Sequence, residues 1–288
     1  MHRLSLAAVV AALVALAAAP AQAQTGLWSD VSDATLAKAN RVTVPQAYRT
    51  VRLDAPQMRQ RLAAAPAESQ VGKASSGTAL SLPLPEGGFV EVRVVESSIL
   101  APELQARYPQ IRTYLASGPG SVHGRLSQTP QGFRGMLFAP GGAIYIDPYA
   151  PGDTQHYIVY RAQDLVVDPI LRGRIADRVE GEAHDHEVRS PAAARPHGET
   201  LRTYRLAVAA TGEYTQFHGG TVAAAMAAIT TTMNRVTGIY ERDLSVRFEL
   251  VANNDQVVYT NGGTDPYSNN NGSAMLNQNI NNLNSVIG

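Results

Sequence analysis

The 288-residue chain has no cysteine. Without thiols there is no disulfide framework, no thiolate zinc site, no iron–sulfur cluster and no cysteine nucleophile. Excess charge of either sign is also missing, since 24 Lys+Arg balance 24 Asp+Glu. A chain so neutral is a poor match for nucleic acid or an acidic membrane surface, and neither partner is expected. Beyond the first 23 residues there is no long apolar run, so no membrane anchor is expected in the mature chain. Nor is there a G-x-S-x-G elbow, a phosphate-binding G-x-x-x-x-G-K-[ST] loop or an H-E-x-x-H helix. What is present is a composition of 44% hydrophobic and 17% charged residues, which suits a folded chain. The length suggests about two domains.

Residues 1–23 read as an address. His2 and Arg3 precede a run at 4–19 that is apolar apart from Ser5; Pro20 breaks it, and Ala21-Gln22-Ala23 offers small residues to a signal peptidase. The run is shorter than the ~18–20 residues of a membrane span, so cleavage before Gln24 and export (extracellular or periplasmic) are expected.

Residues 24–176 read as one unit with a β-rich core at about 80–170. Asp54 is placed to cap a helix running to Leu62. Residues 67–79 are small and polar and predict a loop, and 89–95 alternate as a half-buried strand. Short helical pieces are expected at 101–108 and 110–115. Strands are expected at 121–127, 132–138, 143–147 and 156–162, closely spaced and therefore antiparallel. Residues 177–202 are charged, carry Pro191 and Pro196, and predict a linker that includes a processing region.

From Thr203 the pattern changes. A strand at 203–210 leads through a turn at 211–214 to Thr221, a candidate N-cap. Val222, Met226, Ile229, Met233, Val236 and Tyr240 follow at spacings of 4, 3, 4, 3 and 4, one apolar stripe on a long helix. Leu244, Val246, Phe248 and Leu250 then alternate as a strand, completing a βαβ unit with parallel strands. An Asn/Gly/Asp loop at 253–273 precedes a second helix carrying Met275, Leu276, Ile280, Leu283 and Ile287. Two parallel strands with one helix between them leave a sheet face uncovered, so 203–288 reads as the first part of a larger α/β domain. The expected fold class is therefore α+β / α/β: an antiparallel β-rich domain followed by an incomplete βαβ-type domain.

Few residues suggest chemistry. His184-Asp185-His186-Glu187 is the densest set of metal-binding side chains and would suit zinc or nickel, although a solvated linker is the favoured reading. His218 precedes the long helix and reads as a capping or solvated residue. Asp265, before Pro266, most naturally starts a turn, and with the neighbouring amides of Asn269-Asn270-Asn271 it could hold calcium. Asn271-Gly272-Ser273 is a glycosylation sequon if the source glycosylates.

As a set, the strings TYRLAVAATGEYTQFHGGTV, ITTTMNRVTGIYERDLSVRFELV and YTNGGTDPYSNNNG resemble the opening of bacterial reprolysin-type zinc metallopeptidases, relatives of the adamalysin group within the metzincins. Upstream, LPLPEGGFVEVRVVES, PELQARYPQIRTYL and GAIYIDPYA are similar to the propeptide of such secreted enzymes. The resemblance implies a secreted zinc endopeptidase made as a proenzyme, acting on protein or peptide substrates, with the propeptide (24–176) packed on its own catalytic domain. In that family a zinc-bound water attacks the scissile carbonyl, and the zinc sits on an H-E-x-x-H-x-x-G-x-x-H helix. The chain stops at Gly288 before such a helix, so no catalytic residue is carried over, no metal ligand is assigned, and an inactive chain is expected. A cysteine switch is impossible, and His184 and His186 are candidates to cap the zinc of a longer zymogen. The alternative is a non-catalytic exported module that binds or inhibits a partner protease.

Overall fold

The computed structural model describes residues 26–36, 41–71, 76–165 and 200–288. The expected signal at 1–23 and nearly all of the 177–202 linker lie outside them.

Nine strands form one antiparallel sheet. They are β1 (Trp28–Asp30), β2 (Arg49–Leu53), β3 (Thr78–Pro83), β4 (Phe89–Glu96), β5 (Arg112–Ser117), β6 (His123–Thr129), β7 (Gly132–Ala139), β8 (Gly142–Pro148) and β9 (His156–Arg161). Their spatial order is β1-β2-β9-β8-β7-β6-β5-β4-β3. Tight turns set this meander. Between β7 and β8 the pair Ala139↔Gly142 leaves a two-residue loop, and Gly141 turns it with φ 85°, a conformation that costs glycine little.

The sheet curls until its edges nearly meet. Trp28 in β1 donates its indole N–H to the Ser81 carbonyl of β3 at 2.9 Å, and Arg49 in β2 reaches the Leu84 and Gly88 carbonyls of the β3–β4 turn. Strand alternation then divides inside from outside. Leu126, Phe133, Leu137, Ile144 and Ile146 fill the interior with Trp28 and Tyr157. Trp28 meets Phe133 and Tyr157 edge to face, with centroids 6.0 and 5.6 Å apart. Helix α1 (Ala55–Ala63) adds Met58 and Leu62 to this core, and Asp54 caps it by accepting from the Gln57 N–H at 2.9 Å. The result is a nearly closed barrel.

Two sequence expectations change here. Residues 110–115 are not helical: Arg112–Ser117 is an interior strand paired to both β4 and β6, and neighbours on each side supply the backbone bonds that a short helix would have to make alone. The sheet also begins far upstream of residue 80, because β1 and β2 join its β9 edge. Helix α2 (Pro102–Arg107) forms within the expected 101–108 piece, with Pro102 in its first turn.

The second part starts with β10 (Arg202–Leu206), followed by α3 (Gly212–Phe217), α4 (Val222–Leu244), β11 (Val246–Leu250) and α5 (Gly272–Val286). Strands β10 and β11 pair in parallel from Arg202↔Val246 to Leu206↔Leu250, as expected of a βαβ unit. Thr221 caps α4 by accepting from Ala224 N–H at 3.1 Å, and Ser245 ends it in the left-handed conformation. Residues 211–214 open α3 rather than a simple turn; Thr211 is its cap. Tyr204 and Leu244 are exposed on this small sheet and its helix.

The two parts share an apolar cluster. Leu100, Leu104 and Ile111 pack with Ala210, Met226, Ala227, Ile229, Leu250 and Val258. Backbone bonds Ala101 N–H to Leu250 O and Leu250 N–H to Ile99 O, 2.9 and 2.7 Å, add residues 99–101 to the edge of β11.

Candidate functional site

The residues singled out in the sequence do not converge. His184, Asp185, His186 and Glu187 lie outside the described residues. His218 ends α3 with its ring against Tyr214, centroids 4.4 Å apart, and its carbonyl accepts from Gln131 of the barrel at 3.1 Å. Burial, and then the charge of Arg134, lower its pKa. Asp265 is a staple: its two oxygens accept from Gly212 N–H at 2.7 Å and Tyr267 N–H at 3.0 Å, tying the loop to the start of α3. A carboxylate so committed is a poor fit to calcium, which takes 6–8 oxygen ligands. Asn271 spends its side-chain oxygen capping α5. Among the described residues no group of three or more His, Cys, Asp or Glu is placed to hold a metal ion, so they do not fit a zinc centre.

What the structure does assemble is a polar contact between the barrel and α4. On β6, β7 and β8 the residues that alternate with the core point outward: Arg125, Arg134, Met136 and Asp147. Helix α4 covers that surface. Asn234 donates to the Leu126 carbonyl at 2.9 Å. Arg235 donates to Asp147 at 2.7 Å, and Asp147 also takes Arg134 at 3.0 Å and the Tyr160 hydroxyl at 2.8 Å. Glu241 meets Arg125, whose side chain is fully buried, with Nε at 2.9 Å from Oε2. On its other side Glu241 takes Arg247 at 2.5 Å, and Arg247 reaches back to Glu68 of the barrel part at 2.8 and 2.9 Å. Four alternating charges, Glu68, Arg247, Glu241 and Arg125, therefore cross the contact twice. A Cβ on Gly238 would come within 2.9 Å of Arg125 Cγ and 3.0 Å of Met136 Cε, so glycine allows the approach.

The surroundings favour the ionised form of two of these carboxyls, Asp147 and Glu68. Burial alone would raise the carboxyl of Asp147, but the charges of Arg235 and Arg134 outweigh it and hold it below the usual carboxylate range. Glu68 is likewise opposed by burial and pulled down by its bonds from Arg247 and Ser97. Arg125 moves the other way: burial lowers it, and Glu241 offsets only part of that. The contact has defects too. Thr230, Asn234 and Thr237 are buried on α4, yet Thr230 Oγ1, Asn234 Oδ1 and Thr237 Oγ1 have no hydrogen-bond partner.

The polar contact was missed in the sequence, although a signal exists. Thr230, Asn234, Thr237 and Glu241 are spaced 4, 3 and 4, a second stripe beside the apolar one. Polar residues at that spacing usually mark a solvated face.

Fold and contact define a mixed α+β chain in which a nearly closed antiparallel barrel clasps a parallel βαβ unit. Residues 200–288, which span β10 to α5, match the model of a family described as metallo-peptidase family M12B, reprolysin-like. Over that segment the chain is similar to reprolysin-like metallopeptidases. Comparison with curated proteins and with solved structures gives no match.

Proposed function

We propose that the chain is an exported proenzyme form of a zinc metalloendopeptidase, with the barrel as propeptide, 177–202 as linker and processing region, and 203–288 as the opening of the catalytic domain. The family match over 200–288 carries this reading. The parallel βαβ unit supports it, as does the barrel lying along the long helix of that unit. Zinc, when bound in this family, supplies an activated water for peptide hydrolysis. The described residues do not fit that centre, and their role on this reading is structural: the barrel holds α4 and β11 in place through Arg125, Asp147 and Glu68. On this reading the 288-residue chain is itself catalytically silent.

The test is to express the chain with its own leader, recover material from outside the cytoplasm, sequence its N-termini and assay casein cleavage with added zinc. Starts at Gln24 and within 177–202, without casein turnover, are expected. Retention of Met1 in the cytoplasm, or robust turnover by the 288 residues, contradicts the proposal.

A further inference from the structure

We propose that the end of the barrel beside α1 is a binding site for a small amphipathic carboxylate, with the apolar body of the ligand against Leu62, Tyr114 and Tyr157 and its acid group on Arg59. The site belongs to the barrel alone and holds whether or not the matched segment belongs to a peptidase.

Three observations carry it. The first is shape. A cavity of about 550 Å³ opens at this end of the barrel. Its wall is drawn from α1, the start of β5 and the residues before it, the β6–β7 turn and the start of β9. Elements from around the barrel rim enclose it, so it is a hollow rather than a groove along the surface. Small-ligand sites run to ~300–1,000 Å³, and barrel mouths are a common place for them.

The second is the apolar lining. Leu62, Tyr114 and Tyr157 are buried core residues, yet all three line the cavity. Tyr157 is fixed in place: its hydroxyl accepts from Phe133 N–H at 3.1 Å and donates to the Thr154 carbonyl at 3.2 Å. Gly132 permits that placement, since a Cβ there would come within 3.0 Å of the hydroxyl oxygen. With its polar atom engaged, Tyr157 offers a ligand its ring, and no rearrangement is needed to present it.

The third is charge. Arg59 of α1 and Arg112 of β5 line the cavity, and no Asp or Glu does. Arg112 is committed to Glu96 at 3.1 Å. Arg59 makes no hydrogen bond or ion pair with the described residues. Its charge is felt at the Tyr157 hydroxyl, where it opposes the upward push of burial. Asp54 lies in the adjoining hollow that Arg59 also borders, but it accepts from Gln57 N–H and caps α1 instead. A free guanidinium beside an apolar hollow suits a compact ligand with one carboxylate, which arginine takes through two parallel bonds.

The experiment titrates the full chain with octanoate, octanol and acetate. Calorimetry reads binding, and so does the emission of Trp28, the one tryptophan, whose ring centroid lies 5.6 Å from that of Tyr157. Octanoate is expected to bind one to one, about tenfold or more tightly than octanol, with acetate silent. Arg59→Gln should weaken octanoate about tenfold and leave octanol unchanged. Ala63→Phe, on the cavity wall, should abolish binding of both. Both positions are exposed on α1, so neither change disturbs the core. Octanol binding as tightly as octanoate, an Arg59→Gln variant that binds octanoate like the parent, or no saturation below the micellar range overturns the proposal. So does tighter binding of the peptide acetyl-Gly-Gly-Phe, which would make the occupant a polypeptide end. None of these readouts involves peptide hydrolysis, so failure here is distinct from failure of the peptidase reading.

Discussion

The ion pair between Arg125 and Glu241 is unequal at its two ends, and the inequality has a measurable consequence. The side chain of Arg125 is 0% exposed and that of Glu241 15%. Glu241 has a second cation, Arg247, at 2.5 Å. Among the described residues Arg125 makes no second ion pair; its other bonds go to the Ser97 carbonyl and hydroxyl at 3.3 and 3.1 Å. Glu241→Gln therefore leaves a buried guanidinium without its counter-charge, which costs about 3–5 kcal/mol. Arg125→Met removes the buried charge instead. Glu241 keeps Arg247, the Ser97 carbonyl keeps the Thr113 hydroxyl, and the thioether fills part of the space. Recovered desolvation offsets the lost bonds, so the cost should be at most about 2 kcal/mol. The double variant should lie within about 1 kcal/mol of Arg125→Met, because the stranded charge is gone. Urea unfolding read by far-UV circular dichroism and by Trp28 fluorescence gives both midpoints, and an unchanged slope keeps the comparison valid. Trp28 lies in the barrel core, so it reports the barrel separately from α4. If Arg125→Met proves as costly as Glu241→Gln, the desolvation argument for this contact is refuted.

Two further outcomes follow from the same contact. Leu104 is fully buried in the cluster shared by the two parts, so Leu104→Ala should cost about 2–5 kcal/mol in urea unfolding; a loss under about 1 kcal/mol would show that this cluster does not hold the parts together. Asp147 and Glu68 have folded-state pKa values lowered from 3.8 and 4.5, so their stabilisation is complete above those values and lost as the pH falls through the lower folded ones. Circular dichroism against pH should show a stable contact from neutral pH down to those values and opening only in stronger acid; a transition beginning near neutral pH would contradict the assignment.

How far the fold was legible depended on whether local pattern and tertiary role agreed. Thr221, Val222, Met226 and Ile229 gave a cap followed by an apolar stripe, and α4 forms where they place it. Asp54 behaved likewise for α1. Residues 112–117 were misread because their strand state comes from β4 and β6 on either side rather than from their own spacing. Strand β2 was overlooked for a similar reason: Arg49-Thr50-Val51-Arg52-Leu53 does alternate, but it sits in a polar, alanine-rich stretch, and its partner β9 is a hundred residues away in sequence.

The candidate site was less legible because its parts imitate solvent-facing residues. Arg125, Arg134 and Asp147 occupy the positions that strand alternation assigns to water, and Thr230, Asn234 and Glu241 those that helix periodicity assigns to water. Two such faces can bury each other only if their charges match in register. Here they do: Arg235 falls on Asp147 and Glu241 on Arg125, while Gly238 between them lets the helix approach. Spacing along one segment carries no trace of that match, which exists only between distant segments: Arg235 and Asp147 are 88 residues apart, Arg125 and Glu241 116.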